Sequence, residues 1–180
     1  YIDGVCASGL YEARLGAEEM RAQTHVFCAA YALRDIPELA KICSHIVFNS
    51  MTQAERFHRE ASAHGASLGL RINPQFSTQT GHAIYDPCSK GSRLGITAAN
   101  FPETLPDWIE GLHFHTLCEQ NSDALEATLC AVEEKFGKHL KRIKWINFGG
   151  GHHITRADYD IARLKRCINK MADKYGLEVY

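Results

Sequence analysis

Trp145-Ile146-Asn147-Phe148-Gly149-Gly150-Gly151-His152-His153 decides how this sequence is read. An apolar run ends in three glycines, polar residues follow, and a helical pattern begins at about Arg156. The order is strand, tight loop, helix. Consecutive glycines let the backbone approach a ligand closely and turn its N–H groups inward. Such a nest beside a helix N-terminus favours an anion, most often a phosphate. Taken alone, the triplet reads more often as a flexible turn.

Outward from this stretch, short apolar runs alternate with helical stripes. Strands are predicted at about 2–7, 25–29, 45–49, 67–72, 111–115 and 144–148, and Glu178-Val179-Tyr180 reads as the start of another. Helices are predicted at 10–21, 37–43, 54–64, 122–136 and 159–175. Ser50-Met51-Thr52-Gln53 has the spacing of a capping box, and Gly137 is read as a helix stop. The repeat is βαβα with parallel connections. No G-x-G-x-x-G follows the first strand, so the fold expected is α/β, part of a (β/α)8 TIM barrel (about strands 2–7) rather than a Rossmann sheet. Segment 73–108, rich in Pro, Gly and Ser, is an irregular insertion of the kind that carries function.

The chain has 180 residues, enough for one domain with a core, and residues 1–180 read as a single barrel piece. A net charge of −1 gives no electrostatic footprint for nucleic acid. No apolar run reaches the roughly 18 residues of a membrane span, and Tyr1-Ile2-Asp3-Gly4-Val5 lacks a basic n-region, so a cytoplasmic protein is expected. Seven scattered cysteines without C-x-x-C read as free thiols, mostly small core residues. The sequence opens without Met and stops in a strand-like pattern, as an internal fragment would.

Barrel active sites lie at the C-terminal ends of strands. Here those positions are Arg71 and Asn73, His113 and His115, and 149–153. Strand alternation puts His113 and His115 on one face and Leu112 and Phe114 on the other. His115, at the strand end, is the better functional candidate; a core histidine paired with a carbonyl is the bland alternative. Cys118, Glu119 and Gln120 place further donors and acceptors just beyond it. Histidines 113, 115, 152 and 153 form a possible metal set, but no carboxylate lies at ligand spacing, and no metal is expected. Arg93 and Glu12 would pass for surface charges on composition alone.

Several segments together resemble one family. They are Gly4-Val5-Cys6-Ala7-Ser8 through Glu12-Ala13-Arg14-Leu15-Gly16, Phe48-Asn49-Ser50, Gly69-Leu70-Arg71-Ile72-Asn73-Pro74, and Tyr85-Asp86-Pro87-Cys88. Gly91-Ser92-Arg93-Leu94-Gly95, Glu110-Gly111-Leu112-His113-Phe114-His115, Cys118-Glu119-Gln120, and Asn147 through Thr155 continue them. The sequence resembles the carboxynorspermidine decarboxylase family, of the pyridoxal-phosphate-dependent alanine racemase and ornithine decarboxylase fold group.

That resemblance implies a barrel that binds pyridoxal 5'-phosphate, a C-terminal β domain, and a homodimer with its sites at the subunit interface. It makes His115 the residue stacked on the cofactor ring and Gly149, Gly150 and Gly151 the phosphate loop. Cys118 takes the place of a phosphate-binding serine, with a thiol as a weaker donor. Arg71 and Glu12 fall near the cofactor. Arg93 falls near substrate and partner subunit, and Glu119 is a candidate for binding a polyamine ammonium. The substrate implied is carboxynorspermidine or carboxyspermidine. The alternatives are a diaminopimelate or basic amino acid decarboxylase of the same fold, and a non-catalytic carrier of the cofactor. None of the nine lysines ends a predicted strand, where the family tethers its cofactor, so the fragment alone is expected to be inactive.

Overall fold

Apolar, often β-branched runs form the strands, and amphipathic runs form the helices that follow them. The computed structural model describes residues 3–80, 84 and 86–180. Ile2 of the first predicted strand and Tyr85 of the insertion motif lie outside the described residues. In sequence order the elements are β1 (Gly4–Ala7), α1 (Leu10–Leu15), β2 (Gln23–Phe27), α2 (Ile36–Ile42), β3 (His45–Phe48), α3 (Met51–Ala61) and β4 (Ser67–Asn73). They continue with β5 (Ile96–Thr97), β6 (Gly111–His113), α4 (Ser122–Leu140), β7 (Trp145–Asn147), α5 (Ile161–Tyr175) and β8 (Glu178–Val179). The paired strands are parallel. This is the α/β fold expected, a partial (β/α)8 barrel. No described helix is long and apolar enough to cross a membrane.

The protein forms two compact units, Tyr1–Arg71 with Pro106–Gly111, and Ile72–Leu105 with Leu112–Tyr180. In the first, β1, β2, β3 and β4 pair in sequence order. The predicted helix 10–21 is α1 followed by a π-helical turn, Gly16–Met20, which ends at Arg21 in the left-handed region (φ 50°). A Cβ on Gly16 would fall 2.4 Å from Val5 Cγ2, so the turn packs directly on β1. The capped start is real, though its return bond is shifted by one residue: Ser50 Oγ accepts the Gln53 N–H at 3.2 Å, and Gln53 Oε1 accepts the N–H of Asn49, before the cap, at 2.9 Å. A cap of this kind stabilises a helix by about 1 kcal/mol.

A polar row crosses this unit, with register Cys6↔His25↔His45↔Ser67. The His25 and His45 rings stack with centroids 3.8 Å apart, and both residues are buried. Ser67 Oγ donates to Glu110 Oε2 at 2.6 Å.

In the second unit β7 pairs with β8, Trp145 opposite Glu178. β5, which the sequence did not signal, pairs with the end of β4. α4 runs on through Gly137 to Leu140, because His139 and Leu140 are buried and Phe101 packs edge-on against both Phe136 and His139. Burial of this tail outweighs the roughly 1 kcal/mol helix cost of one glycine. α5 docks on α4 through Glu133, which accepts from Lys170, from Lys174 Nζ at 2.7 Å and from Tyr175 Oη at 2.9 Å. Burial pushes the Glu133 carboxyl up, and these three hydrogen bonds outweigh it and hold the group below its ordinary value.

The thiols are free, as expected, but they are not mostly core. Cys43 and Cys167 are buried, Cys28 and Cys88 are half-buried, and Cys6, Cys118 and Cys130 are exposed. Cys118 is exposed because it sits on a loop beyond β6, where the apolar neighbour Leu117 takes the buried position.

Burial, then the nearby His45, pushes the His25 imidazole down from 6.5 to about 3. Between those values the unfolded protein binds a proton that the folded protein rejects. The neutral buried ring is therefore fully compatible with folding above about pH 6.5, and stability falls as pH drops toward 3. One such proton steepens the loss by up to about 1.4 kcal/mol per pH unit. Denaturant titrations from about pH 7.5 to 4 should show a shallower acid loss in His25→Phe than in the native sequence.

Candidate functional site

β7 ends at Asn147, and the glycine loop begins there. Asn147 Oδ1 accepts the Gly149 N–H at 2.8 Å and stands 3.1 Å from His113 Nδ1. The backbone adds a bond from the Phe114 N–H to the Asn147 carbonyl at 3.1 Å. One asparagine thus pins the start of the loop to β6. Gly149 and Gly151 have φ of +72° and +87°, which disfavour any side chain. Contact is the stronger restriction. A Cβ on Gly149 would lie 2.3 Å from the Phe114 carbonyl oxygen, and one on Gly151 would lie 2.0 Å from that of Leu117. These glycines are required because the loop lies against the backbone of 114–118.

The helical pattern read from about Arg156 becomes a helix a few residues later, close to the start expected at 159. α5 starts at Ile161, where Asp160 Oδ1 accepts the Arg163 N–H at 2.8 Å. The segment between is held by other partners. His152 makes a parallel bridge with Gln120, its Nδ1 lies 3.2 Å from Tyr159 Oη, and Tyr159 is buried. Donors toward an anion therefore come from the loop's own N–H groups, not from the first turn of α5.

His113 is the paired core histidine of the bland alternative, 6% exposed and bonded to Asn147. His115 differs: β6 has ended, Phe114 and Leu117 are buried on either side, and the imidazole is exposed. Its ring lies along the glycine loop. The Gly150 N–H makes a long bond of 3.4 Å to Nδ1, and a Cβ on Gly150 would stand 3.4 Å from Cε1. Burial, then the charge of His115, pushes the His152 imidazole below its ordinary value. Cys118 and Glu119 are exposed next to this ring in sequence, and Glu119 is held in the left-handed region at φ 51°. Such strain in a residue with a Cβ costs on the order of 1–2 kcal/mol and concentrates at functional loops. Among the described residues no group of three or more His, Cys, Asp and Glu side chains is placed to hold a metal. His113 and His152 face Asn147 and Tyr159 instead.

Gln120 is the residue whose weight the sequence did not reveal. Its side chain bonds Thr78 and Gln79 of the insertion, and its backbone bonds Gly151 and His153. The only sequence signal was its place in the Cys118-Glu119-Gln120 string.

His115, Cys118, Glu119 and residues 149–151 thus share the second unit, as does Arg93, exposed in the insertion. Arg71 and Glu12 belong to the first unit. Arg71 is buried in β4 with its guanidinium 4.5 Å from the centre of the Phe27 ring. Glu12 Oε2 accepts the Ser8 N–H and the Ser8 hydroxyl, each at 2.7 Å. These bonds hold its carboxyl below the usual range and close the turn from β1 into α1.

A carboxynorspermidine/carboxyspermidine decarboxylase from Campylobacter jejuni subsp. jejuni serotype O:6 is 45% identical over 180 residues, covering all of this protein's residues and 46% of its own. The similarity to that decarboxylase runs along the whole length of the sequence. A crystal structure of carboxynorspermidine decarboxylase from Campylobacter jejuni, complexed with norspermidine, superposes with a TM-score of 0.89 at 45% identity, over 100% of the present residues and 46% of that enzyme. Carboxyaminopropylagmatine decarboxylase of Synechocystis sp. is 44% identical over 159 residues, 88% of the present sequence and 41% of that enzyme. The present sequence spans less than half the length of these relatives. No protein-family profile matches it. The resemblance read from the motifs is borne out.

The three glycines should respond differently to alanine. Gly149→Ala and Gly151→Ala each drive a methyl into a carbonyl at positive φ, and should lower stability by roughly 2–4 kcal/mol. Gly150→Ala keeps a permitted backbone and meets only the His115 ring. Thermal unfolding should show large drops for the first two and a small one for the third, with the His115 ring resonances moved in Gly150→Ala.

Proposed function

We propose that the whole protein to which these residues belong is a pyridoxal-phosphate-dependent carboxy-lyase of polyamine biosynthesis. It releases CO2 from carboxynorspermidine or carboxyspermidine to give norspermidine or spermidine. The observation that carries this is the exposed His115 imidazole laid along a glycine loop, in a sequence similar throughout to enzymes of that activity.

The residues fit the cofactor. A flat exposed ring beside a surface without side chains suits a pyridine ring and its phosphate. His115 would stack on the pyridine ring. The loop of Gly149, Gly150 and Gly151 would hold the phosphate, with N–H donors from Gly150 onward because the Gly149 N–H is bonded to Asn147 Oδ1, and the Cys118 thiol would add a weak donor. When bound, the cofactor takes up the electron pair left behind as the substrate carboxylate departs. Arg71 and Glu12 help to shape the cofactor's surroundings. Arg93 faces substrate and the partner subunit of a homodimer. The Glu119 carboxylate receives a substrate ammonium, a charge-assisted bond. Residues 1–180 contribute to the barrel domain, and the protein works in the cytoplasm, with neither nucleic acid nor membrane as partner.

The Synechocystis relative favours a second substrate, carboxyaminopropylagmatine, whose guanidinium would replace an ammonium. Glu119 suits either cation.

CO2 release by the full-length protein, loaded with pyridoxal phosphate, separates these readings. Carboxynorspermidine and carboxyspermidine should be turned over, ahead of carboxyaminopropylagmatine and meso-diaminopimelate. His115→Ala should reduce turnover on the order of 100-fold, the scale of a misplaced reactant. Full activity in His115→Ala removes the stacking role. Turnover of diaminopimelate alone keeps the fold and overturns the substrate. Cofactor uptake without turnover of any of the four points to a carrier.

A further inference from the structure

Gln120 engages its amide oxygen, its amide nitrogen, its backbone N–H and its backbone carbonyl at once. Oε1 accepts from Thr78 Oγ1 at 2.9 Å and from Gln79 Nε2 at 2.8 Å, while Nε2 donates to the Thr78 carbonyl at 2.7 Å. The backbone N–H donates to the Gly151 carbonyl at 2.9 Å, and the backbone carbonyl accepts the His153 N–H at 3.1 Å. Gln79 Nε2 also donates to the Thr116 carbonyl at 3.0 Å. Three segments far apart in sequence meet on one residue: the insertion, the loop after β6, and the end of the glycine loop.

A run of three glycines has no side chains with which to hold itself and loses more conformational freedom on ordering than any other residue type. Its order must be imposed from outside. Asn147 restrains the start of the loop and the Gln120 backbone restrains its end. The Gln120 backbone is in turn placed by a side-chain amide used as donor and acceptor together. We propose that Gln120 is a positioning residue, which ties the insertion to the glycine loop and so presets the N–H groups of 150–152 for a phosphate. This rests on the cofactor reading above and adds the device that orders its cradle. Gln120 acts through Gly151 and His153 and touches no ligand.

The donor is what distinguishes this role from simple bulk. Gln120→Glu keeps size and acceptor but sets a second oxygen against the Thr78 carbonyl, where Nε2 donated at 2.7 Å. A carboxylate there repels; a protonated carboxyl donates and restores the bond. In the full-length protein, pyridoxal phosphate affinity relative to the native sequence should fall about tenfold near pH 8, the worth of one lost hydrogen bond, and the gap should narrow as pH falls to about 4, where a glutamate side chain protonates. Amide hydrogen exchange at 150–153 should rise in step, while 164–175 stays unchanged. Should Gln120→Glu fail to fold, Thr78→Val removes one donor to Oε1 and should give the same pattern of raised exchange at a few-fold loss of affinity. Native affinity at pH 8 or a gap independent of pH overturns the proposal, as does unchanged exchange at 150–153. A native protein that takes up no pyridoxal phosphate overturns the cofactor reading instead, and the exchange measurement still decides whether Gln120 orders the loop.

Discussion

The approach of one loop to one strand end governs the second unit. Residues 149–151 run so close to 114–118 that a single methyl on Gly149 or Gly151 would meet a carbonyl oxygen at 2.3 or 2.0 Å. That contact is possible only without side chains, and it forces the rest. Phe114 and Leu117 must point inward to anchor the strand end, and they are buried. His115 and Cys118 must then face outward. The exposed imidazole is a result of where its apolar neighbours go.

Support for this contact comes from amides rather than from charges. Asn147 bridges His113 and Gly149, and Gln120 bridges the insertion and Gly151. Neutral amides both donate and accept, so they join backbone segments without adding a net charge of their own. The two amides therefore add no charge beside the N–H dipoles of the loop. Of the charged groups implied by the family resemblance, two are engaged within the first unit. Glu12 is bound to Ser8, and Arg71 is buried over Phe27.

Periodicity made the fold legible. Alternating apolar runs located most of the strands to within two or three residues, and Glu178 to Val179 is indeed a strand. The misreadings have physical causes. Gly137 carries a stop signal, yet buried His139 and Leu140 pull the helix past it. Arg156 lies on a helical stripe, yet the cap that starts α5 is Asp160. β5 is two residues long, too short for a pattern. At the site, the glycines and His115 stood out because chemistry was written in their own identities. Asn147 and Gln120 did not, because their partners lie 34 and 42 residues away. An amide's meaning depends on what it reaches, and sequence spacing does not encode that.

The clasp between α4 and α5 is lopsided. One carboxylate, Glu133, collects a bond from each of Lys170, Lys174 and Tyr175. Within this cluster redundancy lies on the donor side, while a separate ion pair joins Glu126 of α4 to Arg163 of α5 at 3.5 Å. Sequence drift can erode the donors one at a time, each loss cushioned by the two that remain, while the acceptor has no understudy. Position 133 is where this cluster is brittle, and the last two turns of α5 are where it is forgiving.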